Sequence, residues 1–105
     1  MDGLTPRLSA AERAALRKAL SGEEYSAVYL FGSRADAARR GGDVDILIHS
    51  TAAPFALAHR VASRYAAAMD ARLDVLVIDP RNPTAEQAAF LALIASSLVP
   101  LNEID

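Results

Sequence analysis

Apolar positions along this chain follow two different periods. Ala11, Ala14, Ala15, Leu16, Ala19 and Leu20 recur at helical spacing, and Ser9-Ala10-Ala11-Glu12 ahead of them reads as a capping box. Gly22 stops that helix. Three short apolar runs then have the length and composition of strands: Ala27 to Phe31, Val44 to Ile48 and Leu73 to Ile78. Arg34 to Arg40 reads as a short helix or turn, ended by Gly41-Gly42. Pro54 sits where a helix can begin, and a helix through about Met69 would carry Phe55, Leu57, Ala58, Val61, Ala62, Tyr65 and Ala66 on its apolar side. Asp79-Pro80-Arg81-Asn82-Pro83 is a turn-rich connector. Thr84-Ala85-Glu86-Gln87 caps a last helix through about Ser97, and a short extended segment follows near Val99 to Leu101. The order αβαβαβα predicts a single α/β (α+β) domain over residues 1–105, a small mixed sheet with helices packed on it.

The last helix departs from the amphipathic pattern. From Ala88 to Ala95 the residues are Ala-Ala-Phe-Leu-Ala-Leu-Ile-Ala, which leaves almost no polar face. A helix apolar all round is either buried or covered by another chain. In a domain this small full burial is difficult, so the helix predicts a homo-oligomer or a protein partner.

Polar residues inside the strands carry the candidate chemistry. Alternation along a strand puts Asp43, Asp45 and Leu47 on one face and Val44, Ile46 and Ile48 on the other. Two carboxylates side by side at the head of an apolar strand repel each other and are costly to desolvate. A divalent cation removes that cost, and Mg²⁺ is commonly held by one or two carboxylates together with substrate phosphates. Gly32-Ser33, closing the preceding strand, suits phosphate binding through exposed backbone N–H groups and a hydroxyl. Asp74, Leu76 and Ile78 repeat the acid-then-apolar order on the third strand. For Asp74 to reach Asp43 and Asp45, strands two and three must run parallel, with the helix between them as a right-handed crossover. For Ser33 to join them, strand one must run antiparallel to strand two.

Composition narrows the classes. The formal net charge of −2 argues against a broad basic face for nucleic acid. With no cysteine there is no disulfide framework, thiolate metal site or thiol catalysis. Neither a signal-peptide pattern nor a membrane-spanning apolar run is present, which predicts a cytoplasmic protein. His49 and His59 lack the spacing of a metal or catalytic pair and read as surface or packing residues.

Gly32-Ser33, nine intervening residues, Asp43-Val44-Asp45 and the later Asp74 resemble the signature of the DNA-polymerase-β-like nucleotidyltransferase superfamily. At this length the chain is similar to a minimal nucleotidyltransferase domain, the class often encoded beside a helical HEPN-type partner. The resemblance implies transfer of a nucleoside monophosphate, AMP from ATP, to a hydroxyl, with two Mg²⁺ ions about 4 Å apart. By the same resemblance Asp43 and Asp45 would bind metal. Asp74 would bind one metal and orient or deprotonate the acceptor. Gly32 and Ser33 would hold the triphosphate tail, and Arg34, adjoining Ser33, would contact phosphate. The acceptor implied is a hydroxyl on a HEPN toxin, which makes the chain an antitoxin. The alternatives are an antitoxin or subunit that neutralises its partner by contact alone, and an aminoglycoside-type enzyme acting on a small molecule. The last lacks a second domain to build an acceptor pocket.

Overall fold

A computed structural model of the chain describes residues 8–32 and 43–101. Helix α1 (Ala10–Leu20) opens with the expected capping box: Ser9 Oγ accepts from the Glu12 N–H at 3.1 Å, and Glu12 Oε1 accepts from the Ser9 N–H at 2.8 Å. Strands β1 (Ala27–Phe31) and β2 (Val44–His49) follow, then helix α2 (Pro54–Met69) and strand β3 (Leu73–Ile78). Pro54 begins α2, where its missing N–H costs nothing. Asp70 closes α2 in the left-handed region, φ +53°, with its N–H donating to the Ala66 carbonyl. Helix α3 (Ala85–Ile94) has the second capping box, in which Thr84 and Gln87 exchange hydrogen bonds. It tightens into a 3₁₀ turn at Ala95–Ser97, so the α-helix is one turn shorter than the sequence suggests. Strand β4 (Val99–Pro100) ends the described chain. The short helix or turn expected at Arg34 to Arg40 lies outside the described residues.

The four strands form one mixed sheet in the order β3-β2-β1-β4. β2 and β3 are parallel, while β1 is antiparallel to both β2 and β4. This is the arrangement that the convergence of the acids requires. One face of the sheet carries Val28, Leu30, Val44, Ile46, Ile48, Leu73, Val77 and Val99, which join Leu16 and Leu20 of α1 and Leu57, Val61 and Tyr65 of α2 in the main core. Leu57, Val61 and Tyr65 follow one another at four-residue steps, so α2 contributes a single stripe. Phe55 was expected on that stripe and instead is 90% exposed. It sits two residues from Leu57, about 200° round the helix, and therefore faces away from the core. Ala11, Ala14 and Ala66 are likewise exposed. The turn after α1 is tied to α2 by ions: Glu23 accepts from Arg60 at 2.8 and 2.9 Å and from Arg64 at 2.9 Å.

Alternation sends Tyr29, Phe31, Asp45, Leu47, His49, Asp74 and Ile78 to the opposite face. Leu47 and Ile78 are buried there as well, so β2 is covered on both sides over most of its length. Tyr29 and His49 meet edge to face at 5.2 Å, the packing role expected of His49. Phe31 meets Phe90 of α3 in the same manner at 5.7 Å, which puts α3 on this side of the sheet. None of the α3 residues is buried, and Leu93 is 81% exposed. Apolar on every side, α3 therefore leaves an uncovered apolar surface rather than sinking into the core. Among the described residues no helix is long and apolar enough to cross a membrane.

Candidate active site

The heads of β2 and β3 and the tail of β1 lie at one edge of the sheet. In the register, Asp45 stands opposite Asp74 on one side and Phe31 on the other. Gly32, the next residue after Phe31, has φ +75°, a conformation that side chains rarely allow. A Cβ at Gly32 would lie 2.6 Å from Asp45 Oδ2. The glycine is thus needed twice, for the turn and for the close approach of backbone to carboxylate.

The electrostatics of this edge centre on Asp45. Burial and the neighbouring Asp74 raise its pKa from 3.8 to about 6, with a smaller contribution from the charge of Asp43. Asp45 and Asp74 are close enough to share a hydrogen bond when one is protonated, which adds to the rise. Opposing this, Arg72 pairs with Asp74: Nε and Nη2 reach Oδ1 at 2.9 and 2.8 Å. The result is a half-buried carboxylate whose charge is only partly balanced by the protein itself.

Two of the three acids predicted to cooperate are therefore together. Asp43 heads β2 and is exposed; its charge reaches Asp45. Among the described residues no group of three or more His, Cys, Asp or Glu side chains stands as a ready set of metal ligands. Ser33 and Arg34, predicted to bind phosphate, lie outside the described residues. Arg72 and the Phe31–Phe90 pair escaped the sequence reading. Arg72 was legible in principle, since a base two residues before a strand acid shares its face. The aromatic pair was not, because it joins residues far apart in the chain.

Two carboxylates are what a hard divalent cation such as Mg²⁺ commonly takes from a protein, with substrate phosphates and water supplying the rest. Carboxylate oxygens are the preferred ligands of Mg²⁺, and a cation would relieve the repulsion felt at Asp45. The bare backbone of Gly32 leaves room beside that carboxylate. A cleft of about 650 Å³ elsewhere, between α1 and the start of β1, is lined by Leu16, Leu20, Tyr25, Tyr29 and Leu101 with Arg13 and Arg17, and no carboxylate is among its described lining residues.

No known family model and no curated protein matches this chain.

Proposed function

We propose that the chain is a metal-dependent nucleotidyltransferase of the minimal kind, moving a nucleoside monophosphate from a triphosphate, ATP in the first instance, to a hydroxyl. The observation that carries this reading is the Asp45–Asp74 contact on adjacent parallel strands, beside a glycine whose backbone abuts the carboxylate. Phosphoryl chemistry asks little of a protein beyond positioning and charge neutralisation. Asp45 and Asp74, with Asp43 drawn in from the strand head, would hold the cations. Bound Mg²⁺ supplies neutralisation of the phosphoryl oxygens and of the leaving pyrophosphate. Asp74 would orient the acceptor hydroxyl and take its proton as the oxygen bonds to the α-phosphorus and the bond to the β-phosphate oxygen breaks. Gly32 and Ser33 would receive the triphosphate tail, with Arg34 beside them.

The uncovered apolar surface of α3 supports a protein as acceptor or partner, and a HEPN-type toxin is the partner that the sequence resemblance suggests. It also favours a second reading, in which the chain neutralises that partner by contact. The deciding experiment supplies α-labelled ATP and Mg²⁺ to the chain with and without a co-purifying protein. Label on the partner, lost in Asp45→Asn, supports transfer. Nucleotide binding that is unchanged in excess chelator, with no labelled product, refutes it.

A further inference from the structure

The strands that carry the acids also carry a base. Arg72 stands two residues before Asp74, so extended backbone sends both side chains to one face. Continuing the β2–β3 register by one residue sets Arg72 beside Asp43, as Asp74 sits beside Asp45. Asp45, Asp74 and Arg72 thus meet at the strand heads, where the charge of Asp43 also reaches Asp45. Arg72 is 74% exposed and has solvent open to it, yet Nε and Nη2 both turn onto a single oxygen, Asp74 Oδ1. Nε alone makes a hydrogen bond there, with Nη2 at ion-pair distance from the same oxygen, which is not the parallel fork in which a guanidinium binds a carboxylate most strongly. Exposure weakens the pair further, because water and salt screen it. The geometry is that of a counter-charge that is present but easily removed.

We infer that Arg72 is a displaceable counter-ion, holding Asp74 in the ligand-free protein and turning to the phosphate oxygens when a divalent cation and a nucleoside triphosphate take its place. The inference rests on the metal-dependent reading above. A cation and a guanidinium exclude each other at Asp74 Oδ1 by space and by charge. Once released, the guanidinium stays tethered at the strand head, where its planar donors match a phosphate. Arg72 is in this sense a binding and positioning residue.

The test titrates Mn²⁺ into the full chain, first alone and then with ATP, following the free-ion signal by electron paramagnetic resonance. Arg72→Ala should bind Mn²⁺ alone about threefold to fivefold more tightly than the wild type, the scale of one exposed ion pair. With Mn²⁺ present, the same variant should bind ATP about tenfold more weakly, the scale of one lost charge-assisted contact. Arg72→Lys should fall between wild type and Arg72→Ala on both measures. Opposite signs from one substitution mark the role, since a merely structural arginine would move both affinities together. Equal Mn²⁺ affinity in wild type and Arg72→Ala, with binding lost in Asp45→Asn, overturns the counter-ion role and leaves the metal reading standing. If Mn²⁺ binds no variant, the metal reading and this inference fall together.

Discussion

Replacing Asp45 with Asn should make the ligand-free protein more stable near neutral pH and poorer at binding divalent cations. The cause is the pKa of Asp45, raised from 3.8 to about 6 first by burial and then by Asp74 and Asp43. A group with a higher pKa folded than unfolded makes the folded state the better proton binder. Its contribution to stability is therefore full below 3.8 and is lost as pH rises through about 6. Converted in full, that difference corresponds to about 3 kcal/mol. Asp45 is only half-buried, so solvent screens part of the repulsion and about 1–2 kcal/mol remains. In a domain of this length that is a rise in Tm of about 5–10 °C. Asn keeps the shape of the side chain, and its amide can donate to Asp74, so the charge is removed without opening a cavity. Thermal unfolding from pH 4 to 8 in chelator reads the effect. The advantage of Asp45→Asn should be small at pH 4, grow through pH 6 and level off above it. Added Mg²⁺ should then raise the wild-type Tm more than that of the variant. A variant less stable than wild type at pH 7.5, or an advantage of equal size at pH 4, would refute the reasoning.

Four further outcomes follow. Gly32→Ala should cost about 1–3 kcal/mol through the left-handed backbone and the clash with Asp45 Oδ2, and should weaken nucleotide binding; an unchanged melting curve would mean that the turn relaxes freely. Glu23, whose pKa is held below its ordinary 4.5 first by the hydrogen bond from Arg60, stabilises the fold above that pH and loses the effect as pH falls through its folded value. Glu23→Gln should accordingly melt below wild type at pH 7, with the gap closing as the pH is lowered below 4.5. Leu93→Glu, on the exposed side of α3, should change stability by no more than about 0.5 kcal/mol, and light scattering should show association in the wild type and none in the variant. The Asp43→Asn, Asp45→Asn double variant should do the reverse, keeping association and losing label transfer.

Much of the fold was legible because local chemistry and burial agree. Ser9 and Thr84 announce their helices through caps that the structure forms bond for bond. Strand directions followed from requiring Asp43, Asp45, Ser33 and Asp74 to meet, and the register does put Asp45 beside Asp74. Alternation did not show that Asp43 and Asp45 differ in burial, since a strand head is open to water where the next turn of pleat is not. Helical periodicity misplaced Phe55, because an apolar residue at the first turn of α2 fits the composition of the stripe but not its angle. The pairing of β4 with β1 left no local trace, as two residues carry no period of their own. Arg72, by contrast, was open to the same alternation that places Asp74, since residues two apart on a strand share a face.

Asp45 and Asp74 sit at the two ends of a stretch that contains all of α2, the helix whose Leu57, Val61 and Tyr65 fill the core. Whatever bridges the two carboxylates, whether a shared proton or a shared cation, acts as a reversible staple across that loop. Unlike a disulfide, which constrains the unfolded chain, such a bridge stabilises by binding only the folded arrangement, to an extent the solution controls. Left unbridged, the same two charges press on the seam between β2 and β3 at the end where both strands begin. The domain would thus resist unfolding most when its two carboxylates are bridged.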